Sequence, residues 1–283
     1  MRRESARFSS GSRWPTTGRC PRPTCSPSID GSSPRRGPSS PPTEPDGSPA
    51  TPEGHEGAGG FEAALRAAIG DLPAGLRTRF APAPTGYLHL GHVANALVVW
   101  RVARESGGSV VLRIEDHDRQ RCRPEYETAL LDDLEALGFV PDEPSIGALR
   151  AGGPSAYRQS DQGSDYAQAV ADLARTGHVY ACDCSRQTFR AWASANGRSW
   201  SGPGCPGGCL GRALTLDGSG ITLRAALDRG TESWMDLAHG PQVGATAPRG
   251  DPALRDQHGN WTYTLCVVVD DLRHGIDLVI RGD

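Results

Sequence analysis

The chain has 283 residues, a hydrophobic fraction of 37% and a formal net charge of −3. This length suits one large domain or two modest ones with a tail, and no apolar run is long enough to cross a membrane or serve as a secretory signal. The charge excludes a chain that is basic throughout, although a local basic patch would suffice to bind nucleic acid. We therefore expect a soluble, cytoplasmic monomer.

The N-terminal segment differs in composition from the rest. Residues 1–60 are dominated by Ser, Pro, Gly, Thr and Arg, and Ile29 is their only branched aliphatic residue. Such a stretch cannot bury enough apolar surface to offset the entropy lost on ordering. We predict that residues 1–75 form a disordered extension. An organelle transit peptide is an alternative, but the segment lacks the amphipathic apolar face of such a peptide.

The ordered part begins with alternating strands and helices. Residues 77–81 predict a short strand, and residues 91–105 predict a helix after a turn rich in proline and glycine. Residues 109–115 form a β-rich run that suits a buried parallel strand. Two further amphipathic segments are predicted helices, residues 125–137 and 165–176. Strand–helix–strand–helix order indicates a doubly wound α/β sheet.

The later part of the chain has a weaker pattern. Residues 221–250 predict irregular structure with single strands at best. The apolar run at 261–270 suits either a buried helix or a buried strand, because periodicity cannot separate the two at this length. Residues 276–280 predict a strand.

Two histidines lie on the first turn of the helix predicted after the first strand, in the run P-T-G-Y-L-H-L-G-H that begins at residue 84. Glycine lets a backbone approach a nucleotide closely, and a helix N-terminus attracts phosphate. Histidines three residues apart face the same way and can both donate to phosphate oxygens, which stabilises the charge that develops during attack on a phosphoryl group. The turn therefore predicts a nucleotide phosphate site formed by Thr85, Gly86, His89, Gly91 and His92.

Four of the eight cysteines form two tight pairs, Cys182 with Cys184 and Cys205 with Cys209. Four thiolates suffice for a closed tetrahedral Zn²⁺ site, which would be structural because it leaves no open position. Proline and glycine within the second pair let the chain bend around a metal. Four free or buried thiols in a loop are the alternative.

Three blocks, in order along the chain, carry a more specific signal. The first is R-F-A-P-x-P-T-G from Arg79, followed by H-L-G-H; the second is L-R-I-E-D-x-D-R from Leu112; the third runs from Tyr263 to Gly282. Together they resemble the glutamyl-tRNA synthetase group of class I aminoacyl-tRNA synthetases. The resemblance covers residues 77–283, which is everything except the tail.

The resemblance implies a Rossmann-like class I catalytic domain with a small zinc-binding insertion. The first half of the catalytic domain would span residues 76–180, the insertion on the tRNA acceptor side 181–250, and the start of an incomplete second half 251–283. ATP, accompanied by Mg²⁺, would lie at the turn, with His89 and His92 as catalytic residues.

Four residues match positions that bind the glutamate substrate in that group: Arg79, Glu115, Tyr263 and Arg281. The chemistry suits this role, because a carboxylate side chain pairs with a fixed guanidinium and an α-ammonium needs an acceptor such as Glu115. Ala83 stands where the family usually has serine, so one hydroxyl contact to the substrate is missing.

The insertion helps to choose a branch of the family. Glutamyl-queuosine tRNA(Asp) synthetases, a truncated branch, carry Cys-x-Cys and then Tyr-x₃-Cys there, and this chain has Cys205, a softer zinc ligand, in place of the tyrosine. Full glutamyl-tRNA synthetases commonly have glycine where this chain keeps His92. The resemblance therefore implies ATP-dependent activation of glutamate to glutamyl-adenylate and transfer to the queuosine base of tRNA(Asp).

The family closes its ATP site with a loop of the Lys-x-Ser-Lys type, whose lysine neutralises the departing pyrophosphate. This chain contains no lysine and ends at Asp283. We expect a fragment of a longer protein rather than a catalytically inactive one. A fragment of an ordinary glutamyl-tRNA synthetase and a non-catalytic, zinc-containing tRNA-binding module remain the alternatives.

Overall fold

The structure, a computed structural model, describes residues 58–197, 204–205, 208–246 and 250–281. It begins with a helix, α1 (Ala58–Gly70), so the prediction of disorder over residues 1–75 is wrong for this segment. Alanine, the strongest helix former, recurs in α1, and Glu62 pairs with Arg101 of the next helix. The prediction for residues 1–57 lies outside the described residues.

A parallel pair of strands, β1 (Arg77–Phe80) and β2 (Ser109–Leu112), forms the sheet that the sequence predicts. The helix α2 (Leu90–Glu105) connects the two strands. All residues of both strands except the first are buried, as in a parallel sheet covered on both faces. The second strand is shorter than predicted, because Ile114 forms only a single bridge, to Arg158.

Single parallel bridges extend this pair on both sides. Val111 of β2 bridges to Glu143, and Thr78 of β1 bridges to Leu278. The strand predicted over residues 276–280 is therefore reduced to one bridge, which corrects that prediction. The Asp277 carboxylate accepts a hydrogen bond from the backbone N–H of Arg77 at 3.0 Å. This N–H group is therefore not available for pairing with a longer strand.

Helices cover the parallel pair and build the main core. They are α2, α3 (Pro124–Ala136) and the short α4 (Ile146–Arg150), and α5 (Gly163–Arg175) follows them along the chain. Phe80 and Trp100 meet edge to face with ring centroids 5.4 Å apart, and Phe139 lies 5.0 Å from Trp100. The predicted helices at 91–105, 125–137 and 165–176 are confirmed to within two residues at each end.

A second region follows α5. It contains β3 (Val179–Cys182), α6 (Arg186–Ala195) and four more strands: β4 (Thr222–Ala225), β5 (Thr231–Asp236), β6 (Gly240–Ala245) and β7 (Ala253–Arg255). An antiparallel sheet joins three of these strands in the order β3-β4-β7. This sheet extends beyond both ends of the predicted insertion, residues 181–250, because β3 begins at Val179 and β7 lies at Ala253–Arg255.

The strands β5 and β6 form a hairpin paired residue by residue from Thr231 opposite Ala245 to Asp236 opposite Gly240. The prediction of irregular structure over residues 221–250 is wrong here. Most residues of β5 are exposed, so the alternation of apolar and polar residues that marks a half-buried strand is absent from the sequence.

The apolar run at 261–270 belongs to a helix, α7 (Tyr263–Arg273). Its buried residues include Leu265, which joins a second core cluster with Tyr166 of α5 and Leu254 of β7. This helix thereby connects the second sheet with the helices that flank it. Among the described residues, the helices are too short or too polar to cross a membrane.

Candidate active site

The histidine turn follows the carboxyl end of β1 and forms the N-terminus of α2. His89 Nδ1 accepts a hydrogen bond from the backbone N–H of Gly91 at 3.1 Å, and His92 Nδ1 accepts one from the backbone N–H of His89 at 3.3 Å. The two rings stack with their centroids 3.9 Å apart. Because both Nδ1 atoms accept, each neutral ring carries its proton on Nε2, so the turn presents two Nε2–H donors.

The environment keeps His92 neutral. Burial lowers the pKa of the half-buried His92 imidazole, and the adjacent His89 lowers it further. Protonation at Nδ1 would also break the hydrogen bond from the His89 backbone. At neutral pH this ring is therefore a directed N–H donor.

The other predicted residues of the turn differ in what they do. A Cβ at Gly91 would lie 3.0 Å from Cε1 of His89, so a side chain here would disturb the stacked pair. The backbone N–H of Thr85 donates to the carbonyl of Ala83 at 2.8 Å and tightens the turn. Gly86 has open space around it, which leaves room for a ligand to approach the backbone.

A second group of charged side chains lies beyond the carboxyl end of β2, with Arg113 at its centre. The fully buried guanidinium donates from Nη2 to Glu115 Oε1 at 3.0 Å and from Nη1 to Asp271 Oδ1 at 2.6 Å. Arg79 donates from Nε to the same Asp271 oxygen at 3.3 Å. Burial opposes the charge on Arg113, but Glu115 and Asp271 outweigh it and raise the pKa of the guanidinium.

Glu115 offers an acceptor inside this group. Burial raises the pKa of its carboxyl, and Arg113 offsets part of the shift. Only Oε1 is engaged by Arg113; among the hydrogen bonds of the described residues, none reaches Oε2. A buried carboxylate with an oxygen to spare suits a cationic ligand group, whose charge would stabilise the ionised form.

The four predicted glutamate ligands are brought together only in part. Arg79 and Glu115 are linked through Arg113 and Asp271. Tyr263 is half exposed at the start of α7, with its ring centroid 6.0 Å from that of His117.

The fourth, Arg281, is exposed and makes no hydrogen bond within the described part of the chain. The bridge between Thr78 and Leu278 runs parallel to β1. Arg281 therefore follows at the carboxyl edge of the sheet, which is the edge where the histidine turn lies.

Arg113 and Asp271 are the residues of this site that the sequence analysis missed. Both lie inside blocks of the family resemblance, but neither was given a role. Arg113 stands in the apolar run Val-Val-Leu-Arg-Ile, which is buried throughout. An arginine in such a run must find carboxylate partners, because an unpaired buried charge is strongly unfavourable.

The four paired cysteines meet in one cluster. The Sγ atoms of Cys182, Cys205 and Cys209 lie within 4.8 Å of one another, and Cys184 Sγ lies 3.3 Å from that of Cys209. Hydrogen bonds from the thiols of Cys184 and Cys209 lower the pKa of Cys182. A Zn–S bond of about 2.3 Å in a tetrahedral site places thiolates about 3.8 Å apart, so these residues fit a four-thiolate metal site.

A guanidinium borders the thiol cluster on its exposed side. Arg212 donates from Nη2 to Asp183 Oδ2 at 2.9 Å, and its Nη1 lies 3.5 Å from Cys209 Sγ. Four thiolates around a divalent ion carry a net negative charge, which a neighbouring guanidinium would offset.

Residues 75–283 match the model of the family described as tRNA synthetases class I (E and Q), catalytic domain. The chain belongs to this family. The predicted resemblance to the glutamyl-tRNA synthetase group and the predicted class I catalytic fold are thereby confirmed.

Two curated relatives and a solved structure of this synthetase family illustrate the similarity. The chain is 39% identical over 218 residues to a Glutamyl-Q tRNA(Asp) synthetase of Nitratidesulfovibrio vulgaris, with 73% of this chain and 65% of the relative covered. It is 37% identical over 215 residues to Glutamate--tRNA ligase 2 of Acidithiobacillus ferrooxidans, with 74% of this chain and 44% of the relative covered.

The solved structure is a glutamate tRNA ligase from Elizabethkingia meningosepticum in complex with its amino acid. It has a TM-score of 0.62 and 30% identity, and the match covers 73% of this chain and 43% of that one. The chain thus spans about two fifths to two thirds of the length of these synthetases.

Proposed function

We propose that this protein uses ATP to activate glutamate as glutamyl-adenylate and transfers the glutamyl group to the queuosine base of tRNA(Asp). The observation that carries glutamate activation is the buried Glu115 carboxylate, with one oxygen unengaged, beside Arg79 and Arg113. This group follows the carboxyl end of β2 while the histidine turn follows that of β1, and the two strands are parallel neighbours. Ligands of open α/β sheets bind at this edge.

ATP would bind along the histidine turn. The Nε2–H groups of His89 and His92 would donate to the phosphates, while Thr85, Gly86 and Gly91 shape the approach of the backbone. As a glutamate carboxylate oxygen attacks the α-phosphorus, the bond to the β-phosphate oxygen breaks and pyrophosphate leaves. The two Nε2–H donors, oriented by backbone hydrogen bonds, would stabilise the charge that builds on the phosphoryl oxygens without prior reorganisation.

Glutamate would lie between the two strand ends. Its side-chain carboxylate suits the guanidinium groups of Arg79 and Arg281, and its α-ammonium suits Glu115. Tyr263 would border the same space from the start of α7. In the second step, a hydroxyl group of the queuosine base attacks the glutamyl carbonyl, an ester bond forms and AMP leaves.

The two predicted metals have different support. The four clustered cysteines suit Zn²⁺, which would hold the chain around residues 182–209 in place and supply no chemistry to the reaction. Mg²⁺ would accompany ATP. No carboxylate cluster suited to a metal occurs beside the histidines in the described residues, so we expect its ligands to be phosphates and water.

A pyrophosphate exchange assay tests the first step. The full-length gene product is incubated with ATP, labelled pyrophosphate and glutamate, with and without tRNA. Family behaviour implies that exchange in the queuosine-modifying branch needs no tRNA, so we expect glutamate-dependent exchange in its absence. Exchange should fall at least about 100-fold in His92→Ala, as for loss of a preorganised donor, and stay unchanged in the surface variant Arg175→Ala.

An ordinary glutamate–tRNA ligase is the second candidate, because the relative from Acidithiobacillus ferrooxidans is 37% identical over a similar span. That activity predicts exchange that depends strictly on tRNA(Glu). Such a result would reject the queuosine-modifying function and retain glutamate activation.

A further inference from the structure

His117 has no role in the steps described above, yet its side chain lies among the proposed glutamate ligands. Its ring centroid is 6.0 Å from that of Tyr263. It stands two residues after Glu115, in a segment whose backbone continues the sheet by hydrogen bonds from Glu115 to Pro82 and from Gln159 to Ile114. Alternate residues of an extended segment face the same side, and the side chains of Glu115 and His117 are close enough to interact electrostatically, so we expect them to face one space.

A chain of hydrogen bonds defines the orientation of the neighbouring glutamine. Asp270 Oδ2 accepts from Tyr166 Oη at 2.8 Å and from Gln159 Nε2 at 3.0 Å, and Asp270 Oδ1 accepts from Arg273 at 3.1 Å. A carboxylate among these donors only accepts. The amide nitrogen of Gln159 must therefore face Asp270, and its oxygen must face away.

This orientation determines the tautomer of His117. Its Nδ1 lies 2.7 Å from the Gln159 amide oxygen. Because that oxygen only accepts, His117 must carry a proton on Nδ1 and donate it. In the neutral ring, Nε2 is then an acceptor, the opposite of the tautomer in His89 and His92. The described residues provide no hydrogen bond to this Nε2 atom.

We propose that His117 Nε2 is a second acceptor for the α-ammonium of the amino-acid substrate, next to the Glu115 carboxylate. The inference rests on the proposed glutamate activation and adds a ligand to that site. The α-ammonium is the only donor group of a glutamate anion, and it has three N–H bonds, of which one carboxylate cannot satisfy all. The adenine amino group and the ribose hydroxyls of ATP are also donors, so the test measures the binding of glutamate and of ATP separately.

Calorimetric titration of the whole protein with L-glutamate, with glutarate, which lacks the α-ammonium, and with ATP tests this role. His117→Asn keeps an amide donor near Gln159 and loses the Nε2 position, whereas His117→Gln extends an amide oxygen towards that position. His178→Asn, at an exposed histidine far along the chain, is the matched control. Thermal melting of each variant reports whether it folds.

We expect His117→Asn to weaken L-glutamate binding about 10-fold, as for loss of a hydrogen bond to a charged group, with glutarate and ATP binding unchanged. His117→Gln should recover part of the loss, and the control should bind like wild type.

Equal weakening of glutamate and glutarate, a loss confined to ATP, or unchanged glutamate binding in His117→Asn would each overturn the inference while leaving glutamate activation intact. Failure of the wild-type protein to bind glutamate would overturn both.

Discussion

Among single residues, Arg113 is the most important for the structure of the site. Its buried guanidinium is shared between Glu115 and Asp271, and its Nε lies 4.0 Å from Asp270. The guanidinium thus bridges carboxylates from two distant parts of the sequence, of which Asp271 also pairs with Arg79 and Asp270 with Arg273. The arrangement links the end of β2 to α7 and holds Glu115 in a position from which it can contact a substrate.

Replacing Arg113 with methionine should destabilise the fold by about 3 to 5 kcal/mol, because it leaves the buried Glu115 carboxylate without its hydrogen-bonded counter-charge. Urea unfolding of wild type and variant measures the difference. Arg175→Met removes an arginine that is 74% exposed and pairs with Asp172, and it should cost less than about 1 kcal/mol. Equal stability of Arg113→Met and wild type would show that the cluster is not a structural support.

The lowered pKa of His92 predicts that the free energy of unfolding depends on pH. Its pKa is lower in the folded state than the ordinary value of 6.5, so the unfolded chain takes up the proton first. The contribution of His92 is therefore present above pH 6.5 and lost as the pH falls through the folded pKa. The difference in unfolding free energy between wild type and His92→Gln should shrink from pH 7 to pH 5. A difference that grows on acidification would contradict this sign.

Among the elements, the β5–β6 hairpin is the least supported. It pairs with no other strand of the described residues, and Met235 and Val243 are largely exposed on it. Isolated two-stranded hairpins are marginally stable. Backbone amides of residues 231–245 should therefore exchange at least about 100-fold faster than those of Val110 and Leu112. Equal protection in hydrogen-exchange mass spectrometry would show that another surface covers the hairpin.

The thiol cluster joins β3 to the segment that follows α6, and its metal can be removed. We expect one zinc ion per chain by elemental analysis, lost in Cys205→Ser and Cys182→Ser. Removal by a chelator should lower the melting temperature, because structural zinc contributes folding free energy. Cys122→Ser, at a thiol outside the cluster, should keep its zinc. Full retention of zinc in both cluster variants would exclude these cysteines as ligands.

For the whole molecule, regular local patterns explain where prediction from sequence succeeds. The strand before the histidine turn and the helices α2, α3 and α5 follow from apolar spacing and from proline and glycine at their ends. The hairpin was missed because most of β5 is exposed and lacks an alternating apolar pattern, and α1 because it was grouped with the Ser-, Pro- and Gly-rich segment that precedes it. The sequence could not show whether the run at 261–270 is a helix or a strand. Tertiary contacts decide this, because Leu265 and Cys266 of the helix pack in one core cluster with residues of α5.

Only those site residues that belong to recognisable sequence motifs could be predicted. Family blocks identify His89, His92 and Glu115, but the role of Arg113 depends on Asp271, which is 158 residues away in sequence. The acceptor face of His117 depends on a chain of hydrogen bonds through Gln159 to Asp270. Pairings of this kind arise when distant segments fold together, and no local sequence pattern encodes them.

The central claim is glutamylation of queuosine, and transfer of labelled glutamate tests it most directly. The full-length gene product is incubated with ATP, radiolabelled glutamate and either tRNA(Asp), with or without queuosine, or tRNA(Glu), and acid-precipitated tRNA is counted. We predict label on queuosine-containing tRNA(Asp) alone, retained after removal of the 3′-terminal adenosine. Label on tRNA(Glu) that is lost with that adenosine would contradict the account.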